Sequence, residues 1–281
     1  MNRILFFATL CGLTFCAAAQ LQQPAFKAGE RVLLEVLAKP DSPLDDKVTA
    51  CQELGHQGTA EAVAPLAALL KDDTPPALFH AARYGLENIP DPAVDAAFLN
   101  AAKQLKGRAL IGVLQSLGNR RAPAALSVLT TNASATDEGI ASAAALALGK
   151  FGTKEAAFAL KPLIEKNASA AEAYLACAGT LRDPVMAEEL TLAKNIPQPV
   201  KLAALHELLL TFPEKAAAER WASAIRSDDK GTVDIALRTA SELPQSKRFG
   251  KVFADALESL PSVRSRLCAV AAERKEPAIA D

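Results

Sequence analysis

Few residues here are of types that do chemistry, and their spacing decides what they can do. The histidines are His56, His80 and His206. His206-Glu207 opens a pattern in which two histidines, four apart on one helical face, hold zinc beside a glutamate base. Position 210 is Leu210, so the second ligand is missing and His206 reads as an ordinary helix residue. Cys51, His56 and His80 could be gathered as thiolate and imidazole ligands, but they lack ligand spacing and no fourth ligand is evident. Nucleophile-elbow, haem-attachment and phosphate-loop patterns are absent; Gly149-Lys150 has no upstream glycine and is followed by Phe151. No cofactor or metal is expected, and the chain is expected not to be an enzyme.

What remains is recognition chemistry. Trp221 could stack on a ligand, yet it falls in an apolar column described below and reads as core, as do Tyr84 and Tyr174. Turn positions carry Arg120, Arg121, Lys154, Arg182, Lys215, Lys247 and Arg248. Stacked in a regular array, they would form a ladder for an acidic partner. Asp91, Glu155, Asp183 and Glu214 are interleaved and neutralise much of it. Formal net charge is −1, too little field to attract DNA or an anionic membrane.

The elements that position these residues follow from a repeat. Ala50, Ala82, Val113, Ala144, Tyr174, Leu205, Ala236 and Leu267 are all apolar and stand about 31 residues apart. Four residues later comes a second column: Leu54, Leu86, Leu117, Leu148, Ala178, Leu209, Ala240 and Ala271. The i, i+4 spacing is that of one buried helical face. A third column, Leu66, Phe98, Leu129, Leu160, Leu190, Trp221 and Val252, lies about twelve residues further on, past a break. Glycine and proline mark the breaks, and Thr, Ser and Asp supply N-caps. Half the residues are hydrophobic but only 5% are aromatic, so Ala and Leu dominate and favour helix.

The fold class expected is an all-α solenoid of about seven to eight stacked two-helix units. First helices should start near 44, 76, 107, 137, 168, 197, 229 and 262. Second helices should start near 60, 92, 122, 154, 184, 214 and 246. A leading helix over about 28–38 precedes them. The last unit keeps only its first helix, which leads to the expectation that Leu267 and Val270 are partly uncovered and that this half-unit could be a dimer contact.

Residues 1–19 read as an export signal. Arg3 is the positive start, Ile4 to Phe15 an uncharged apolar run, and Ala17 to Ala19 the small residues before cleavage between Ala19 and Gln20. That run is too short to span a bilayer, which needs about 20 residues. Leu13-Thr14-Phe15-Cys16 approaches a lipobox but has Phe15 where a small residue belongs, so an outer-membrane lipoprotein is the lesser reading beside a periplasmic or secreted protein. The organisation expected is a signal peptide at 1–19, linker and capping helix at 20–43, repeat array at 44–275 and a tail at 276–281. Cleavage leaves Cys51, Cys177 and Cys268. In a regular stack with helices about 8–10 Å apart, these lie about 30–40 Å from one another, beyond disulfide reach. All three are expected to be buried and unreactive, Cys268 being the least protected.

The stretches Leu54-Gly55 to Leu66, Leu117-Gly118-Asn119 to Leu126, and Ala143 to Gly149 resemble the HEAT-repeat family, within it the short bacterial HEAT-like repeats of exported proteins. The resemblance covers about 44–275 and weakens at Leu181-Arg182, Phe212-Pro213 and Leu243-Pro244, where Leu-Gly is lost. Such arrays also occur beside secreted oxidoreductase modules and in bilin lyases, but a shared scaffold does not carry an activity across. The resemblance implies protein or peptide docking on a concave face lined by the second helices. Lys103, Lys161, Glu188, Arg220 and Lys251 would set specificity there by charge, with Arg120, Arg121 and Arg182 at the turns. The function expected is an exported binding scaffold that is not catalytic, or an accessory subunit of an exported enzyme, with a bilin-lyase-like enzyme as the least alternative.

Overall fold

The computed structural model describes residues 29–274, so the expected signal peptide and the C-terminal tail lie outside the described residues. The described chain is all-α: helix pairs stacked as repeats form an α-solenoid, with no strand among the described residues. It divides into two compact units between Val128 and Leu129.

The first unit begins with α1 over 29–38. It continues with α2 (Leu44–Gln57), α3 (Ala60–Ala67), α4 (Pro76–Asn88), α5 (Ala93–Ala102) and α6 (Gly107–Arg120). First helices pack in series, α2 on α4 and α4 on α6, and the second helices α3 and α5 pack against them. Helix α7 (Leu126–Ala133) contains the division point. The second unit continues with α8 (Glu138–Phe151), α9 (Lys154–Leu160), α10 (Ala168–Leu181), α11 (Pro184–Leu192) and α12 (Gln198–Thr211). It ends with α13 (Glu214–Ala224), α14 (Lys230–Glu242), α15 (Lys247–Ser259) and α16 (Arg264–Arg274). Every first helix starts within two residues of its expected position. Among the second helices only α7 starts more than one residue late, because Pro123–Ala125 forms a 3-10 turn before it.

The three columns form the core. The second column is buried throughout; Leu205 in the first and Val252 in the third are half-buried, packed against the C-terminal core cluster. Trp221 is fully buried, stacked on Phe253 at 5.6 Å and edge-on to Phe249 at 5.0 Å, and its indole N–H donates to the Ala236 carbonyl at 2.7 Å. Tyr84 departs from expectation: it is 44% exposed, because a position two residues after Ala82 leaves the buried face. Leu267 departs too. It is fully buried, since α16 packs on both α14 and α15 even without a second helix of its own.

Close approach is purchased by small residues. A methyl group on Gly85 would stand 2.4 Å from the Cys51 carbonyl oxygen, so α2 and α4 touch backbone to backbone. Helix ends are closed by side chains. Thr59, Asp137, Thr153, Asn167, Asp183, Asp229 and Ser246 each accept a backbone N–H as N-caps. The buried Glu30 carboxylate of α1 in turn accepts from the Thr59 N–H at 2.7 Å. Where Leu-Gly is lost, the chain finds other stops. Arg182 takes the left-handed conformation, φ 51°, as Arg121 does after α6 and Gly152 after α8. Phe212 and Leu243 are extended, as a residue before proline prefers.

Candidate functional site

The expected recognition residues fall into different circumstances. Arg120 does not reach outward. Its guanidinium lies across the end of α4, donating to the carbonyls of Glu87 at 3.1 Å, Ile89 at 2.9 Å and Asp91 at 3.1 Å, and it pairs with Asp95. This corrects the ladder at that rung: four acceptors from the preceding pair hold the side chain inside. Arg274, seven residues after Leu267 as Arg120 is seven after Val113, repeats the device on the carbonyls of Ala240 and Leu243. Arg121 and Arg182 are exposed at the left-handed helix ends. Lys103 is exposed just past α5 in the first unit, and Lys251 is exposed on α15.

Lys161, Glu188 and Arg220 are brought together by the second helices of the second unit. Lys161 follows α9, and its ammonium donates to Glu189 of α11 at 2.7 Å. Glu188, the next residue back, pairs with Arg220 of α13, whose guanidinium also lies 5.1 Å over the Phe212 ring. The other Glu189 oxygen accepts from the Tyr174 hydroxyl at 2.7 Å. Burial pushes the Glu189 carboxyl up, but the hydrogen bonds from Lys161 and Tyr174 and the Lys161 charge outweigh it and hold the group below its ordinary value. Burial, then the bond to Glu189, pushes the Tyr174 phenol above its ordinary range. Partly exposed pairs of this kind add little stability, about 0–1 kcal/mol. Their effect is to tie α9, α11 and α13 together with charges already matched.

Sequence reasoning missed the apolar residues between those charges. Phe158 of α9 is 83% exposed, and Leu192 and Val185 of α11 are 72% and 58% exposed. Phe158 precedes Lys161 by three residues, Val185 precedes Glu189 by four, and Leu192 follows it by three, so each stands within one helical turn of the Lys161–Glu189 bridge. Three large apolar side chains around neutralised ion pairs are suited to burial against a partner. A signal for them exists in the spacing. Phe158 and Leu192 each lie two residues, about 200° of helical rotation, from the core columns at Leu160 and Leu190.

The other candidate chemistry is dispersed. His206 pairs with Glu242 at 3.0 Å, and His80 lies 3.2 Å from Arg83. Cys51 is fully buried, and burial pushes its thiol up to about 12. Among the described residues no group of three or more His, Cys, Asp or Glu is placed to hold a metal ion. Nor is any described helix long and apolar enough to cross a membrane. Cys51 and Cys177 are buried free thiols, but Cys268 is free and exposed, which corrects the expectation that all three are shielded.

No protein-family model matches the chain, and no curated protein matches it. Among solved structures it is similar to human deoxyhypusine hydroxylase in complex with glycerol, at 14% identity over 91% of this chain and 99% of that one, TM-score 0.44. The CpcE and CpcF complex of phycocyanin lyase from Nostoc sp. is 17% identical over 88% of this chain and 93% of that one, TM-score 0.36. A designed armadillo repeat protein is 14% identical over 86% and 98%, TM-score 0.24. With every TM-score below 0.5, none of these assigns a reaction to this chain, and its fold rests on its own helices. They do correct one expectation. A hydroxylase and a lyase stand among the similar structures, so the inference from repeat architecture to a chain that is not an enzyme does not hold. What the chain is, on its own structure, is a helical-repeat protein.

Proposed function

We propose that this chain is an exported HEAT-like scaffold that binds a protein or peptide partner on the second-helix face of its second unit. One observation carries the reading: Phe158, Val185 and Leu192 project from α9 and α11 around ion pairs that need no further partner. Burying a side chain such as Phe or Leu contributes about 1.5–3 kcal/mol, so two anchors supply a useful share of a micromolar affinity of about 8 kcal/mol. Lys161, Glu188 and Arg220 border these anchors and, already paired, would form the polar rim around them. Export is supported by the apolar run from Ile4 to Phe15 and the alanines before Gln20.

A photo-cross-linking amino acid placed at 158 or 192, in protein expressed in its native cell, tests the binding reading. A discrete adduct from both positions is expected, lost when the other anchor is changed to serine and absent from a probe at Lys251. No adduct, or the same adducts from all three positions, would refute the assignment. Export is checked separately: N-terminal sequencing of the mature protein should begin at Gln20.

A further inference from the structure

A second surface of the same unit, formed by first helices, has a different chemistry. Helices α10, α12 and α14 border an open groove of about 770 Å³, within the range of about 300–1,000 Å³ typical of ligand sites. Leu175, Leu202 and Ile235 line it with apolar surface. Small residues keep it open: beside Gly179 the nearest side-chain atoms are those of the Glu207 carboxylate, 3.6 Å from where a methyl would stand.

The polar lining is unevenly matched. Glu242, which is not itself a lining residue, lies 3.0 Å from His206 and 3.6 Å from Arg238. Glu172 and Glu207 are the carboxylates that line the groove, and among the described residues neither has an ion pair or side-chain hydrogen bond. Glu242 matches Arg238 from outside the lining, so the two carboxylates that line the groove are left as uncompensated negative charges beside its apolar surface. That combination is complementary to a long basic side chain, whose aliphatic stem covers apolar surface while its cation stays at the wet rim.

We propose that this groove docks a basic segment of a partner protein, with Arg or Lys stems along Leu175, Leu202 and Ile235 and a cation at each of Glu172 and Glu207. The occupant differs from that of the Phe158–Leu192 face, which offers apolar anchors among paired charges. A bidentate guanidinium–carboxylate contact is stronger than an ammonium one, so arginine is preferred over lysine.

The test uses the mature full chain and two acetylated, amidated peptides, Leu-Arg-Ala-Leu-Arg-Leu and the same peptide with Glu for both Arg, titrated by calorimetry at low salt. The arginine peptide is expected to bind and the glutamate peptide not. Glu172→Gln with Glu207→Gln should weaken binding by about tenfold or more, and so should raising the salt to about 0.5 M, where screening is strong over a few Å. Because neither carboxylate has an internal partner, that double variant should melt with the parent. Filling the groove with Ala203→Trp should abolish binding whatever the peptide charge. Peptide binding unaltered by either change, equal binding of both peptides, or no binding up to millimolar concentration overturns the proposal. So does concentration-dependent self-association that the Glu172→Gln, Glu207→Gln variant abolishes, which would make a second copy of the chain the occupant. Phe158→Ser with Leu192→Ser should leave peptide binding intact, so this groove and the face above can fail independently.

Discussion

Replacing Gly85 by alanine tests the packing that the repeat depends on. Gly85 sits inside α4, where alanine by itself favours the helix by about 1 kcal/mol. The structure reverses that sign. The new methyl would lie 2.4 Å from the Cys51 carbonyl oxygen, whereas carbon–oxygen contacts settle at about 3.3–3.6 Å. The obstacle is helix backbone, which cannot rotate away, so α2 and α4 must separate by about 1 Å. A gap of that size forfeits about a quarter to a half of each dispersion contact across the seam. The residues beside it, Cys51, Leu54, Leu66 and Leu86, are fully buried. Overpacking against fixed atoms at the upper end of its range costs about 3 kcal/mol. Less the propensity gain, the net loss is about 2 kcal/mol, a fall in melting temperature of about 4–8 °C for a chain of this size. Calorimetry or thermal circular dichroism reads it, with Gly179→Ala as the paired control. There the methyl meets nothing closer than 3.6 Å, so the variant should be as stable as the parent or up to about 1 kcal/mol more so. Equal stability of Gly85→Ala and the parent, or equal losses in both variants, would refute the close-contact argument.

Arg120→Ala should destabilise by about 2–3 kcal/mol in urea, because the carbonyls at the end of α4 lose a charged donor, and Arg120→Lys should not restore it since one ammonium cannot reach all four acceptors. Arg121→Gly and Arg182→Gly should each stabilise by about 0.5–1 kcal/mol in the same assay, by relieving a left-handed residue that carries a side chain; loss of stability would show that the arginine side chains matter more than the backbone. Thiol titration of protein beginning at Gln20 should find one fast group, Cys268, and three after unfolding. Burial pushes Cys51 up to about 12 and Cys177 up to about 11, so their thiolates are scarce at neutral pH; prompt reaction of two or more thiols in the native state would contradict this.

Helices, their starts and their buried columns were readable from the chain alone, because a helix brings residues four apart to one face and a repeat imposes that register unit after unit. Leu54 and its column mates are buried for that reason, and Pro213 and Pro244 stop helices by local sterics. Interactions between units were not readable in this way. Nothing local to Arg120 says that its guanidinium covers the carbonyls of Glu87, Ile89 and Asp91, which lie 29–33 residues back in the chain. Periodicity gave Lys161, Glu188 and Arg220 as exposed charges. Only the packing of α9, α11 and α13 pairs Arg220 with Glu188 and Lys161 with Glu189, leaving Phe158 and Leu192 as the uncovered chemistry of that face. Burial of Leu267 was likewise decided by α14 and α15, not by the missing second helix. Period and propensity are properties of one helix; matched charge and covered surface belong to neighbours about 30 residues apart, and they exist only once the units stack.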